Sequence, residues 1–140
     1  KYSVLIGEQT AERLKMEIGS ADVEAAKSAE GTSARGRDLV TGLPKTIDIE
    51  AVDVADAIKD VISEIIIAIK ETLEETSPEI AADVIDHGIV LTGGGAMLQH
   101  LDEVIAEATK VPVFVAPEPL DAVVIGTGEA LKSIDVLKNN

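Results

Sequence analysis

The chain has 140 residues, enough for one domain or two small lobes with an aliphatic core, and its 26 acidic against 12 basic side chains give a formal net charge of −14. That charge excludes a surface built for nucleic-acid phosphates, and with Tyr2 and Phe114 the only aromatic residues there is no base-stacking platform. Cysteine is absent, which removes disulfides, thiolate metal sites and cysteine nucleophiles, and the two histidines, His87 and His100, do not make a His-rich metal site.

No apolar run reaches the roughly 18 residues of a membrane-spanning helix, and the opening KYSVLIGEQ is too short for a signal peptide, so the chain reads as cytoplasmic. It begins at Lys1 without a methionine and enters what reads as the middle of a fold, as a piece excised from a larger protein would. Residues 7–18, GEQTAERLKMEI, predict an amphipathic helix with Thr10 as N-cap, Ala11, Leu14 and Ile18 inward, and Gly19 as its stop. Its polar face carries Glu12, Arg13, Lys15 and Glu17, which read as solvated charges with i,i+3 pairing.

Residues 22–37 are small, polar and weakly periodic, either a strand and hairpin or a mobile loop. A turn follows at DLVTGLP, and 45–51, KTIDIEA, alternates as a half-buried strand does. Lys27, Arg35, Arg37 and Lys45 are the one local cluster of positive charge, a contact surface for an acidic partner or simply solvated surface. Residues 53–75 form the longest helical pattern, with Asp53 as N-cap and an Ile-Ile-Ile run at 65–67 that predicts burial on more than one side. Ser77 caps a second helix, with Pro78 in its first turn, running to Gly88.

Residues 88–107, GIVLTGGGAMLQHLDEVIAE, are the centre of the chain: a short strand, three glycines and an amphipathic helix containing His100. Such a junction places bare N–H groups and the positive end of a helix together, as a nucleotide or another anion requires, although a tight turn without a ligand would use the same residues. With a second strand at 111–116 it makes a βαβ unit with a parallel pair, whose ligands bind at the carboxyl ends of the strands. Residues 117–119, Pro-Glu-Pro, break that strand, and 121–137 form a last helix whose Gly126 and Gly128 admit a close neighbour. No Walker loop, HExxH, GxSxG or EF-hand loop is present, and no nucleophile, base and orienting partner combine.

Three stretches, GEQTAERLKMEIGSA, RGRDLVTGLPKTI and IVLTGGGAMLQHLDEVI, followed by PVFVAPEPLDAVVIGTGEAL, resemble in order and spacing the C-terminal half of the MreB/Mbl family, bacterial actin homologues that determine rod shape. The resemblance covers nearly the whole chain, while 20–35 departs from the family pattern. It implies an α/β chain of the actin-like ATPase (ribonuclease H-like) fold, with 1–75 the outer lobe of the second half and 76–140 part of the inner lobe. It implies ATP as cofactor, with Mg in the full-length protein. The adenosine loop falls on Gly93, Gly94, Gly95 and Ala96, and the adenine- and ribose-facing turn on Glu12, Arg13, Leu14 and Lys15, with Glu12 and Lys15 the direct contacts. The phosphate hairpins, the metal aspartate and the water-positioning residue of the family precede this stretch, so no catalytic or metal residue is expected here and the chain alone is not expected to hydrolyse ATP. The resemblance further implies self-association into membrane-associated filaments that guide wall synthesis with cell-wall elongation and membrane proteins. A sugar- or acetate-kinase-type ATP-binding domain and an independent non-enzymatic binding module are the rival readings.

Overall fold

The computed structural model describes residues 1–132. Its chain order is β1 (Val4–Leu5), α1 (Glu8–Ile18), α2 (Val23–Ala26), β2 (Thr32–Asp38), β3 (Pro44–Ile49), α3 (Ala51–Glu75), α4 (Pro78–His87), β4 (Ile89–Leu91), a 3₁₀ turn (Gly94–Met97), α5 (Leu101–Thr109), β5 (Val113–Val115) and α6 (Ala122–Lys132). The last helix expected over 121–137 is seen to Lys132, and its remainder lies outside the described residues.

Strands β1, β2 and β3 form an antiparallel sheet in that order, with Ala34 opposite Ile47 and Thr32 opposite Ile49. Alternation turns Ala34 and Ile49 inward, where they meet Leu14 of α1 and form one apolar cluster with Val54 of α3. The uncertain stretch 22–37 resolves into a short helix and a strand. The Asp22 carboxylate accepts from the amides of Glu24 (2.8 Å) and Ala25 (3.2 Å) and so caps α2, whose Ala26 packs on Ala51 and Ala55 of α3. Strands β4 and β5 pair in parallel, Ile89 opposite Val113, with α5 as their crossover. Behind them Ile105 and Leu101 of α5 pack on Ile62 of α3 and on Ala21. Helix α3 therefore serves both sheets, its first turns on the three-stranded one and its middle on the βαβ unit.

Several local expectations are corrected. The N-cap of α1 is Gly7, not Thr10, because the helix already closes with the Ala11 amide on the Gly7 carbonyl (3.0 Å). Ala11 is exposed, leaving Leu14 as the one buried residue of α1. Strand β3 stops at Ile49, Ala51 already lies in α3, and Glu50 takes the N-cap position assigned to Asp53. Asp53 sits in the first turn, where its carboxylate accepts from Lys1 Nζ (2.8 and 2.9 Å) and the Tyr2 hydroxyl, tying the start of the chain to α3. Ser77 is the N-cap residue of α4, but its side chain makes no capping bond. The Ile65–Ile67 run is not buried on several sides: Ile65 and Ile67 are exposed and only Ile66 packs, because a helix turning 100° per residue presents one face to the single layer beside it. Among the described residues no helix is long and apolar enough to cross a membrane.

The β2–β3 turn is held by Asp38, whose carboxylate accepts from the amides of Val40 (2.8 Å) and Thr41 (3.0 Å) and pairs with Lys45 Nζ (3.0 Å). The Thr41 amide above all, then Lys45 and the Val40 amide, hold this carboxyl well below the usual carboxylate range; Lys1, then Tyr2, lower that of Asp53. A carboxyl depressed in the folded chain stabilises it above the unfolded value of about 3.9, and that contribution fades as pH falls through the folded value. Thermal stability is therefore expected to drop as pH is lowered below about 4, and Asp38→Asn to flatten the drop; equal slopes for variant and parent in a melting series against pH would contradict it.

Candidate functional site

Strand β4 ends at Leu91 and leads through Thr92 into the three glycines. Gly93 has φ +81° and ψ 175°, a conformation essentially confined to glycine, and its amide donates to the Pro119 carbonyl at 2.6 Å. The Pro-Glu-Pro segment expected merely to end β5 thus returns to close the glycine turn, and Leu120 Cδ2 lies 3.5 Å from where a Cβ on Gly94 would stand. Sequence reasoning missed Pro119 and Leu120; a large aliphatic residue placed just after a two-proline break was their one signal.

Gly94 and Gly95 have no such backbone requirement. A Cβ added to Gly95 meets nothing within 4 Å, and among the described residues neither amide donates to an acceptor. Two neighbouring N–H groups are therefore left without a protein acceptor on an exposed turn without side chains, so a flat ligand can lie directly against the main chain. Ala96 is buried and anchors the turn.

The helix expected directly after the glycines is displaced. Gly94–Met97 form a 3₁₀ turn, and α5 starts at Leu101 with His100, expected inside it, as a left-handed N-cap residue at φ +61°. The positive end of α5 is consequently not at the glycines, since consecutive glycines propagate an α-helix poorly and Leu98 is held extended. That extended backbone joins the second group of predicted residues. Ser20 and Gln99 form a parallel bridge, and the Ala21 amide donates to the Gln99 carbonyl at 2.8 Å. Gly19 makes the approach possible, as a Cβ there would lie 3.1 Å from Leu98 Cδ1 and 2.3 Å from the Lys15 carbonyl. The end of α1 is in this way stitched to the segment leaving the glycine turn.

On α1, Glu12, Arg13, Leu14 and Lys15 all border an open groove of about 1020 Å³ between α1 and the first turns of α3, with Val54, Ala57 and Ile58 opposite. The glycines do not line this groove, so the two groups are joined through backbone and not through a shared cavity wall. Glu12 and Lys15 are solvent-accessible and pair with each other at 2.8 Å across one turn, offering an acceptor and a donor. Arg13 is committed elsewhere, to Glu17 (2.6 Å) and the Ser33 carbonyl (3.0 Å), and so ties α1 to β2. Leu14 is 4% exposed and belongs to the core under the three-stranded sheet. His87 lies in the last turn of α4, where Nδ1–H donates to the Asp83 carbonyl (2.9 Å), and His100 faces Glu103 at 3.3 Å. Among the described residues no three His, Cys, Asp or Glu side chains converge as metal ligands.

Comparison with known proteins bears on the arrangement as a whole. The MreB/Mbl protein family model matches residues 1–139. The chain is 46% identical over 137 residues to the cell shape-determining protein Mbl of Bacillus subtilis, covering 98% of this chain and 40% of that protein. It is 42% identical over 135 residues to the cell shape-determining protein MreB of Escherichia coli, covering 96% of this chain and 38% of the relative. It thus spans about two fifths of the length of these relatives. Among solved structures, MreB5 of Spiroplasma citri bound to ADP superposes with a TM-score of 0.91 at 32% identity, over 100% of this chain and 42% of that one. The same protein bound to AMPPNP gives 0.87 at 33% identity, over 100% of this chain and 41% of that one.

Proposed function

This chain belongs to the MreB/Mbl family and has part of its actin-like fold, and on that footing we propose that it supplies the adenosine-binding part of an ATP-binding protein that assembles into filaments and directs cell shape. The observation that carries the reading is the glycine turn, where the Gly94 and Gly95 amides have no acceptor among the described residues and a side chain at Gly95 would meet open space. That solved structures of the MreB5 relative are bound to ADP and AMPPNP supports an adenine nucleotide as the ligand class. Adenosine rests on Gly93, Gly94 and Gly95, with Ala96 supporting the turn. The Glu12 carboxylate accepts from ribose hydroxyls and Lys15 donates, while Arg13 and Leu14 hold α1 at the right height. Residues outside this chain hold the phosphates and Mg, and ATP supplies the binding energy that biases assembly.

In this reading residues 1–75 are the outer lobe and 76–140 part of the inner lobe, with α3 bracing both. Filaments of the whole protein lie in the cytoplasm against the membrane and guide cell-wall synthesis together with wall-elongation and membrane proteins. The direct test is titration of the ¹⁵N-labelled chain with adenosine. Amide shifts are expected at Gly94, Gly95, Glu12 and Lys15, saturating together with one dissociation constant. Shifts confined to other regions, or none at millimolar adenosine, would remove the assignment.

A further inference from the structure

All of the chain's sulfur is in two methionines, Met16 and Met97, since cysteine is absent. Met97 is the last residue of the 3₁₀ turn and is 58% exposed, so its thioether is open to a dissolved oxidant. The apolar cluster beneath takes Leu98 and Leu101 from this segment and leaves Met97 outside it. Three residues before Met97 stands Gly94, whose amide has no acceptor among the described residues. Residues three apart eclipse in a 3₁₀ turn, so positions 94 and 97 lie one above the other. A glutamate or glutamine three residues after a free amide at the head of a helix reaches back and accepts from it, which is one half of a capping box. Methionine has the length for that bond but not the acceptor, because a thioether sulfur accepts weakly. Oxidation supplies the acceptor: a sulfoxide carries its oxygen on Sδ as glutamate carries Oε1 on Cδ, at the same remove from the main chain.

We propose that Met97 is a site of reversible oxidation, where a peroxide converts the thioether to a sulfoxide whose oxygen accepts from the Gly94 amide and withdraws that amide from a ligand. With hydrogen peroxide the O–O bond breaks, one oxygen bonds to Sδ and the other leaves as water, so the sulfur gives up two electrons and the peroxide takes them. A sulfoxide reductase drawing on thiols reverses the step. Met16 is the internal control. It is 71% exposed and open to the same oxidant, but three residues before it is Arg13, in the middle of α1, where the amide is already spent on the helix. The consequence for a ligand rests on the adenosine reading above, whereas capture of the Gly94 amide does not.

The experiment uses Met16→Leu, which leaves Met97 as the sole sulfur. The ¹⁵N-labelled variant is treated with hydrogen peroxide until its intact mass shows one added oxygen, and the Gly94 amide and the affinity for adenosine are read before and after. The Gly94 amide resonance is expected to move downfield and its exchange with solvent to slow about tenfold, with the adenosine dissociation constant rising about tenfold. Treatment with a methionine sulfoxide reductase is expected to restore both. Met97→Leu, oxidised at Met16, is expected to show neither change, and Met97→Gln, which carries an amide oxygen at the same place, to show both without any oxidant. A Gly94 amide that the sulfoxide leaves unmoved, or the same changes in oxidised Met97→Leu, would overturn the proposal. A captured Gly94 amide with unchanged adenosine affinity, or a chain that binds no adenosine before oxidation, would overturn the adenosine assignment at this turn and leave the oxidation site standing.

Discussion

Gly94→Glu is expected to remove adenine-nucleotide binding while leaving the fold intact. A Cβ at Gly94 meets only Leu120 Cδ2 at 3.5 Å, an ordinary contact, and the residue does not have the positive φ of Gly93, so the backbone tolerates the change. The added carboxylate then stands beside two amides that have no acceptor among the described residues, occupying the surface on which the adenosine would lie. The loss is expected to be on the order of a hundredfold, about 2.8 kcal/mol. Calorimetric titration of parent and variant with ATP, alongside far-UV circular dichroism to show that both are folded, measures it. Unchanged affinity in a folded variant would mean that the nucleotide does not use this turn.

The largest effect on stability is expected at Ile105. Its side chain is 1% exposed and packs with Ile62, Leu101 and Ala21 in the cluster that fixes α5 to α3, and thus the position of the segment leaving the glycine turn. Ile105→Ala is expected to cost about 2–5 kcal/mol, combining the lost transfer energy with that of the cavity left behind. Against a typical total of about 5–15 kcal/mol this is a large share. Ile67→Ala is the matched control, since Ile67 is 54% exposed on α3 and its truncation is expected to change stability by no more than about 0.5 kcal/mol. Urea unfolding followed by circular dichroism separates the two. Equal midpoints for both variants would contradict the packing of α3 on α5.

The regular elements were legible because each carries its own periodicity and punctuation. The alternation of KTIDIEA, the i, i+3, i+4 pattern of α3, Ser77-Pro78 at the start of α4 and Gly88 at its end are local signals, and the parallel β4–α5–β5 unit followed from two short apolar runs with a helix between them. The glycine turn was legible as a feature without side chains, and the order and spacing of the three family stretches were sufficient for membership. Helix starts were less legible. Thr10 and Asp53 are sound N-cap residues by type, yet α1 and α3 are each capped three residues earlier, and Asp53 instead receives Lys1 and Tyr2 from about fifty residues away.

By itself, then, the sequence determined the α/β class, the family, helix α1, the order of the elements from β3 onward, and which residues form the bare turn, because these depend on residue type and on neighbours a few positions apart, while β1 and α2 carried no readable signal. Only the tertiary structure decided that Ser20 bridges Gln99, that Pro119 and Leu120 return over the glycines, that the helix dipole of α5 lies away from them, and that Arg13 and Leu14 hold α1 while Glu12 and Lys15 stay accessible. Each of these depends on contacts between residues far apart in the chain, and such contacts are set by how the buried faces of α1, α3 and α5 pack against one another, not by any pattern within a single segment.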